Sequence, residues 1–316
     1  MTVGPPLRWG VLGGSARISR RGFLPGVAAA GNGELTAVGS RTGATSYQDV
    51  LDDPDVDAVY IALPNALHHE WTIKALRSGK HVLCEKPLTT SAVAAADIAA
   101  TADAAGLVVM EAFMYRFHPQ YADPGWPRLL ESLGPLCAAT VQFSEPMTTP
   151  GDIREDPALG GGALWDIGCY CLDLVCRLFG DVADVHAVGN RRLDCDWSTS
   201  VQLRFAGDAL VSCWWSFSGP QWQRAVLVGE RGTLTLYDPF RPNGRCTAVL
   251  EVDGVVTPVS VGGDDCFRRE IEHFGEVASG AVTSSVPLAG SCSWIDVAET
   301  IDAQLRTSPL SALQVP

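Results

Sequence analysis

Between Leu7 and Met114 the chain alternates short apolar runs with helical stretches, and few folds accept that rhythm. "LRWGVLGG" reads as a strand running into a glycine turn, and Ser19 to Ala30 as a helix stopped by Gly31-Asn32-Gly33. "ELTAVGS" is a second strand, and "DAVYIALP", rich in β-branched and aromatic residues, a third. "HHEWTIKALRSGK" is a helix closed by Gly79, and "HVLCEKP" a fourth strand. An Ala-rich helix ending at Gly106 and the strand "LVVMEAF" complete the series. Strict alternation of this kind predicts a parallel sheet covered on both faces.

After residue 118 the rhythm changes. A Pro/Gly-rich link, "HPQYADPGWP", leads to a strand around Cys137 to Phe143, then to "LGGGALWDIG" and the helix "CYCLDLVCRLFG". The runs "VQLRF", "ALVSCWWSFS", "AVLVG", "GTLTLYD", "TAVLEV" and "VVTPVSV" follow, separated by short turns, which predicts a largely antiparallel sheet. Two helices close the chain, from about Cys266 to Ser279 and from Ser291 to Leu305. The expected division is therefore a dinucleotide-binding α/β domain over 1–118 and an α+β domain on a large open sheet over 119–316.

A formal charge of −13 removes the basic footprint that nucleic acid requires. No uninterrupted apolar run reaches bilayer length, and "MTVGPPLRWGVLGG" reads as a ragged end entering a strand, not a secretory signal. The ten cysteines lie in apolar segments with no Cys-x-x-Cys pair, which points to reduced, buried thiols in a cytoplasmic protein and to no metal site.

"WGVLGGSARIS" places Gly10, Gly13 and Gly14 between the first strand and the first helix. In such a turn, here Gly13, Gly14, Ser15, Ala16, Arg17 and Ile18, backbone N–H groups can approach a pyrophosphate at a helix N-terminus. The pattern is not a regular G-x-G-x-x-G, and a bare strand–helix turn is the other reading; its place at the head of a βαβ series favours a Rossmann domain. The second strand ends in Ser40-Arg41 where NAD enzymes carry an acid. Arginine suits a 2′-phosphate, so NADP(H) is expected, with a plain surface arginine as the alternative.

Lys86, in "GKHVLCEKPLTTS", follows the fourth strand at the carboxyl edge where such sheets bind ligands. Its ammonium there can lower the pKa of a phenol or bind a substrate oxygen, or simply pair with an acid. In "GGGALWDIGCYCLD", Asp166 and Tyr170 are four apart and share a face once the helix has begun; Asp166 could equally cap that helix.

Taken together, the glycine turn, "LPNALHHEWTIKALRSGKHVLCEKPLTTS", "MEAFMYRFHPQ" and "GGGALWDIGCYCLD" resemble the Gfo/Idh/MocA oxidoreductases from near the N-terminus to about residue 180. Tyrosine at 170 is similar to the branch holding dimeric dihydrodiol dehydrogenase, glucose–fructose oxidoreductase and the sugar 3-ketoreductases. The resemblance implies that Lys86 and Tyr170 are the catalytic pair. It further implies that Asp166 and Tyr115 hold the sugar and that Leu63, Pro64, Asn65, His68, Glu85 and Pro87 line the cofactor. "GDIRED" is similar to the ketoreductase pattern and makes Arg154 a candidate contact for substrate or cofactor phosphate. The turn is one residue longer than the family's usual one, and only "TGATS" stands where relatives carry a helix after the second strand.

The implied activity is NADPH-dependent reduction of a sugar ketone, C3 of a nucleotide-linked keto-deoxyhexose. An NADP-dependent aldose or trans-dihydrodiol dehydrogenase is the alternative, and a non-catalytic NADP-binding regulator ranks below both because Lys86 and Tyr170 are present. Relatives associate through the C-terminal sheet, so a homodimer or homotetramer is expected, with Trp214, Trp215 and Trp222 either in that interface or under the domain's own helix.

Overall fold

The computed structural model describes residues 5–241 and 246–307; the first four residues of the ragged N-terminal end lie outside them. The chain forms two compact units, one running to His118 and including Asp265–Cys292, the other comprising Pro119–Asp264 and the segment from Ser293 onward.

In the first unit β1 (Leu7–Leu12), β2 (Gly33–Gly39), β3 (Ala58–Ile61), β4 (His81–Glu85) and β5 (Val109–Ala112) make one sheet in the order β2-β1-β3-β4-β5. Every neighbouring pair is parallel. The strand order reverses beside β1, and in open parallel sheets ligands bind at the carboxyl ends next to such a reversal. β3 and β5 are buried throughout, which is why β3 is a continuous apolar run and β5 is apolar apart from Glu111. A π-helical turn, Ser19–Phe23, runs into α1 (Leu24–Ala29). Then come α2 (Tyr47–Asp52), α3 (His68–Arg77) and α4 (Ala92–Ala105). After "TGATS" the chain needs a fresh helix start, and Ser46 supplies it by a capping box with Asp49. Gly106, at φ 65°, ends α4 in the left-handed conformation.

The second unit contains α5 (Pro119–Ala122), α6 (Gly125–Leu133), β6 (Leu136–Ser144) and α7 (Cys169–Phe179), the last continuing a π-helical turn at Leu164–Gly168. β7 (Val182–Arg192), β8 (Cys195–Phe205), β9 (Leu210–Ser216), β10 (Trp222–Gly229), β11 (Gly232–Leu236), β12 (Cys246–Val252) and β13 (Val255–Val261) follow. With β6 they make an eight-stranded sheet, β13-β12-β11-β10-β6-β9-β8-β7, antiparallel except for the β6–β9 pair. β7 is absent from the sequence reading; it is joined to β8 by a tight turn that puts Leu193 and Asp194 at positive φ without a glycine.

α8 (Cys266–Ala278) and α9 (Leu288–Thr307) complete the chain. The expected second domain, 119–316, gives up 265–292 to the first unit. The reason is packing: Phe274 of α8 closes on Trp9 at 5.0 Å, Trp9 meets Phe23 edge-on at 5.2 Å, and Phe23 stacks on Tyr60 at 3.8 Å. These four rings are wholly buried and form the core behind the sheet.

α7 covers one face of the large sheet. Trp215 lies wholly buried beneath it, the under-helix place expected of it, whereas Trp214 and Trp222 alternate to the outer face. Among the described residues one helical run, Pro157–Phe179, is long and apolar enough to cross a bilayer, and 78% of its apolar window is buried inside the protein, as a core helix must be. Cys84, Cys171 and Cys213 are buried thiols; burial pushes Cys213 up to about 12, which makes it unreactive.

Candidate active site

In the first unit the turn after β1 is shaped by what surrounds it. Gly13 has φ +99°, and a Cβ there would stand 2.3 Å from the Ala62 carbonyl oxygen. A Cβ on Gly14 would meet Val38 at 2.2 Å. Both positions therefore demand glycine. The N–H groups of Gly13 and Gly14 donate to the Gly39 carbonyl at 3.2 and 3.0 Å, and that of Ala16 to the Gly13 carbonyl at 2.9 Å. The buried Ser19 hydroxyl also donates to the Gly13 carbonyl, at 2.9 Å.

These bonds sort the six turn residues. Gly13, Gly14 and Ala16 use their N–H groups to build the turn. Among the described bonds none uses the N–H of Ser15, Arg17 or Ile18, which open the helical run beginning at Ser19. A pyrophosphate fits this cradle, because helix-start N–H groups and the helix dipole both favour an anion. Arg41 is exposed and Ser40 half-buried just past the end of β2, at the same edge of the sheet as the turn.

The exits of β3 and β4 are tied together from below. His68 is wholly buried, with Nδ1 2.6 Å from the Pro87 carbonyl and Nε2 2.8 Å from the Leu63 carbonyl. Burial holds its pKa below the usual imidazole value. Expected to line the cofactor, His68 lies buried between the two loops that would do so, where a neutral imidazole donates to one of these carbonyls and stays in close contact with the other. Pro64 and Asn65 lie above it, half-buried, and Leu63 is nearly closed off.

Glu85 is buried and accepts the Tyr60 hydroxyl at 2.6 Å and the Lys86 N–H at 3.2 Å. Glu111 accepts the Leu88 N–H at 2.7 Å, so both sides of Pro87 are fastened to carboxylates; the Lys86–Pro87 peptide is cis. Glu270 of α8 is a neighbour the sequence reading missed. It is buried, its Oε1 has no hydrogen-bond partner, and burial together with Glu85 raises its pKa well above the usual carboxylate value. Lys86 itself is half-buried. Tyr115, expected at the substrate, is wholly buried, its ring edge-on to Phe113 at 5.9 Å.

In the second unit Asp166 and Tyr170 lie one turn apart on the continuous helical run from Leu164 to Phe179. Both are buried, and the Tyr170 ring packs on Phe143 at 5.7 Å and Phe240 at 5.6 Å. Arg154 donates through Nε to Asp166 at 2.7 Å and through a terminal nitrogen to Asp152 at 3.1 Å. The Asp166 charge is the main cause holding Arg154 above its usual pKa. Expected to contact substrate or a cofactor phosphate, Arg154 is here hydrogen-bonded to the carboxylates of Asp152 and Asp166. The glycine run allows this close approach: the Gly162 N–H donates to the Arg154 carbonyl at 2.9 Å, and Gly162 itself has φ +118°.

Each unit thus assembles part of the expected residue set. The first brings Ser15, Arg17, Ile18, Arg41, Pro64, Asn65 and Lys86 to the carboxyl edge of its sheet; the second brings Arg154, Asp166 and Tyr170 to the head of α7. Both segments begin in a π-helical turn, a feature common at functional sites. Among the described residues no cluster of three or more His, Cys, Asp or Glu could hold a metal ion.

Comparison with known proteins bears on these parts. Residues 19–113 match the oxidoreductase family with an NAD-binding Rossmann fold, and residues 131–235 match the GFO/IDH/MocA C-terminal domain. The chain is 33% identical to D-xylose 1-dehydrogenase (NADP(+)) 2 of Haloferax volcanii, covering 97% of this chain and 98% of that one. It is 32% identical to the dTDP-3,4-didehydro-2,6-dideoxy-alpha-D-glucose 3-reductase of Saccharopolyspora spinosa, covering 90% and 92%. Among solved structures, a 3-ketoreductase from Actinomadura kijaniata in complex with NADP and TDP-benzene superposes with a TM-score of 0.86 at 28% identity, over 95% of this chain and 98% of that one.

Proposed function

The chain belongs to the Gfo/Idh/MocA oxidoreductase family, and on that premise we propose that it reduces the C3 keto group of a nucleotide-linked deoxyhexose with NADPH. It is an oxidoreductase of sugar CH–OH and C=O groups, and its cofactor is NADP(H). The observation that carries the reading is the Arg154–Asp166 pair one turn before Tyr170. Arg154 holds Asp166 in place by a charge-assisted hydrogen bond, and a fixed carboxylate is what orients a sugar hydroxyl beside a proton-donating phenol.

The cofactor residues we propose are the N–H groups of Ser15, Arg17 and Ile18 for the pyrophosphate, Ser40 and Arg41 for the 2′-phosphate, and Pro64 and Asn65 for the nicotinamide ribose. When bound, NADPH supplies the hydride that the ketone carbon takes up. In the catalytic pair we propose, Tyr170 donates a proton to the carbonyl oxygen, and the Lys86 ammonium eases the negative charge that grows on the phenol. A free phenol has a pKa of about 10, so a cation is needed to bring it into play near neutral pH. A positioned acid of this kind contributes about 10²–10⁴-fold in rate. Asp166 holds the sugar while this happens. The test is Tyr170→Phe, assayed with NADPH and a dTDP-linked keto sugar: turnover falls by about that factor while NADPH binding survives. Unchanged turnover would remove Tyr170 from the role.

One observation favours a second reading. The relative at 33% identity across nearly the whole chain is an NADP-dependent xylose dehydrogenase, so the same residues run in the oxidative direction would act on a free aldose. A panel of dTDP-keto sugars, aldoses and trans-dihydrodiols decides between the two. Assembly as a homodimer or homotetramer is proposed through the outer face of the eight-stranded sheet, which exposes Val188, Leu210 and Trp222.

A further inference from the structure

Asp196 of β8 is a carboxylate that the reading above leaves without a task. It is 4% exposed, and among the described ion pairs none includes it. Its Oδ2 accepts the Leu164 N–H at 2.8 Å, the Trp215 indole N–H at 3.3 Å and the Thr199 hydroxyl at 3.5 Å. Its Oδ1 presses on the glycine run, where a Cβ on Gly162 would come within 2.2 Å.

Leu164 opens the helical run that carries Asp166 and Tyr170, so its N–H is one of the first-turn donors that a helix cannot satisfy by itself. A negative charge at that end is favoured by the helix dipole. The cap comes from 32 residues away in sequence, across the sheet, and so it fixes where the helix sits as well as satisfying its end.

We propose that Asp196 is a positioning residue whose carboxylate anchors the head of the Leu164–Phe179 run to β8, so that the placement of Asp166 and Tyr170, and with it turnover, follows the charge on Asp196. This rests on the assignment of Tyr170 as proton donor. Burial is the main cause that pushes Asp196 up to about 6, with the Leu164 and Trp215 donors opposing it. The charged groups facing it are Arg191 of β7, which favours the carboxylate, and Asp302 of α9, which disfavours it. Arg191 and Asp302 stand 3.8 Å apart, and Arg306 also bonds Asp302 at 2.8 Å. Because the folded-state pKa is raised, the stabilisation linked to the protonated acid is complete below about pH 3.9 and lost as pH rises through about 6. Near neutral pH the fold therefore carries an ionised group that a neutral isostere would relieve, which is expected of a group kept for activity and not for stability.

The test uses Asp196→Asn, whose amide oxygen still accepts the Leu164 N–H, beside Trp215→Phe and Tyr170→Phe. Turnover is read with NADPH and a dTDP-keto sugar, or with NADP+ and D-xylose, whichever the wild type accepts. Wild-type kcat is expected to fall below about pH 6. In Asp196→Asn that acid limb disappears and kcat at pH 8 drops by about 10–100-fold, with the NADPH Kd unchanged. Its melting temperature, compared with wild type, rises from pH 5 to pH 8. Trp215→Phe removes one donor to the carboxylate and moves the acid limb to higher pH. If Tyr170→Phe loses turnover while Asp196→Asn keeps both its rate and the acid limb, this proposal is overturned alone, as it is by an unmoved limb in Trp215→Phe. Full turnover in Tyr170→Phe overturns the assignment of the proton donor and this proposal with it.

Discussion

Gly168 lies where the π-helical turn becomes α7, two residues before Tyr170, and its Cα faces the buried indole of Trp215. In Gly168→Ala the added Cβ would stand 2.7 and 2.8 Å from two ring carbons and 3.1 Å from the ring nitrogen. Carbon atoms in good contact sit about 3.5–4.0 Å apart, so helix and ring must separate by about 0.8 Å or more. Trp215 is fully enclosed and hydrogen-bonded to Asp196, which leaves the helix as the part that moves. Overpacking of this kind costs about 1–3 kcal/mol, a fall of several degrees in melting temperature. A displacement on the order of 1 Å at a catalytic group can cost about 10²-fold, so kcat is expected to drop by about 10–100-fold. The NADPH Kd should not change, because the turn from Gly13 to Ile18 belongs to the other unit. Steady-state kinetics, fluorescence titration with NADPH and a thermal melt read the three quantities. Gly207→Ala, where an added Cβ meets nothing within 4 Å, is the control and should match wild type in all of them. A variant with the expected loss of stability but a kcat within twofold of wild type would refute the reasoning that the seat of α7 sets the chemistry.

Two further outcomes are expected. Gly13→Ala forces a side chain onto the Ala62 carbonyl at a backbone angle that disfavours it, so NADPH affinity measured by calorimetry should fall by at least about tenfold. His68, with its folded-state pKa depressed, contributes stability that is complete above about pH 6.5 and is lost as pH falls through the folded value; urea midpoints from pH 8 to pH 5 should decline more steeply in wild type than in His68→Gln, and equal slopes would refute the assignment.

How much of this was legible beforehand depended on the range of the interactions. The parallel sheet was, because β3 is buried on both faces and announces it by an unbroken apolar run, and β5 departs from one only at Glu111. β7 was not, because its hairpin turns on Leu193 and Asp194 instead of Asn-Gly, and its charged residues hide a one-sided strand. Residue types at the site were readable, but partners were not. "GDIRED" shows an arginine without showing that Asp166 occupies it, and "NALHH" shows a histidine without the carbonyls that enclose it. Asp196 gave only a faint signal, an acid at an inward position of a strand, whose meaning depends on a helix start far away in sequence.

The return of α8 to the first unit bears on how the protein is made. Trp9 leaves the ribosome early, yet the ring that seals it, Phe274, is translated some 265 residues later. At roughly 5–20 residues per second, the nascent nucleotide-binding core waits on the order of 15–50 s with an apolar face open to water or to a chaperone. A fragment cut at His118 would carry that exposure permanently, which makes it a poor stand-alone cofactor-binding module for expression, however complete its five strands.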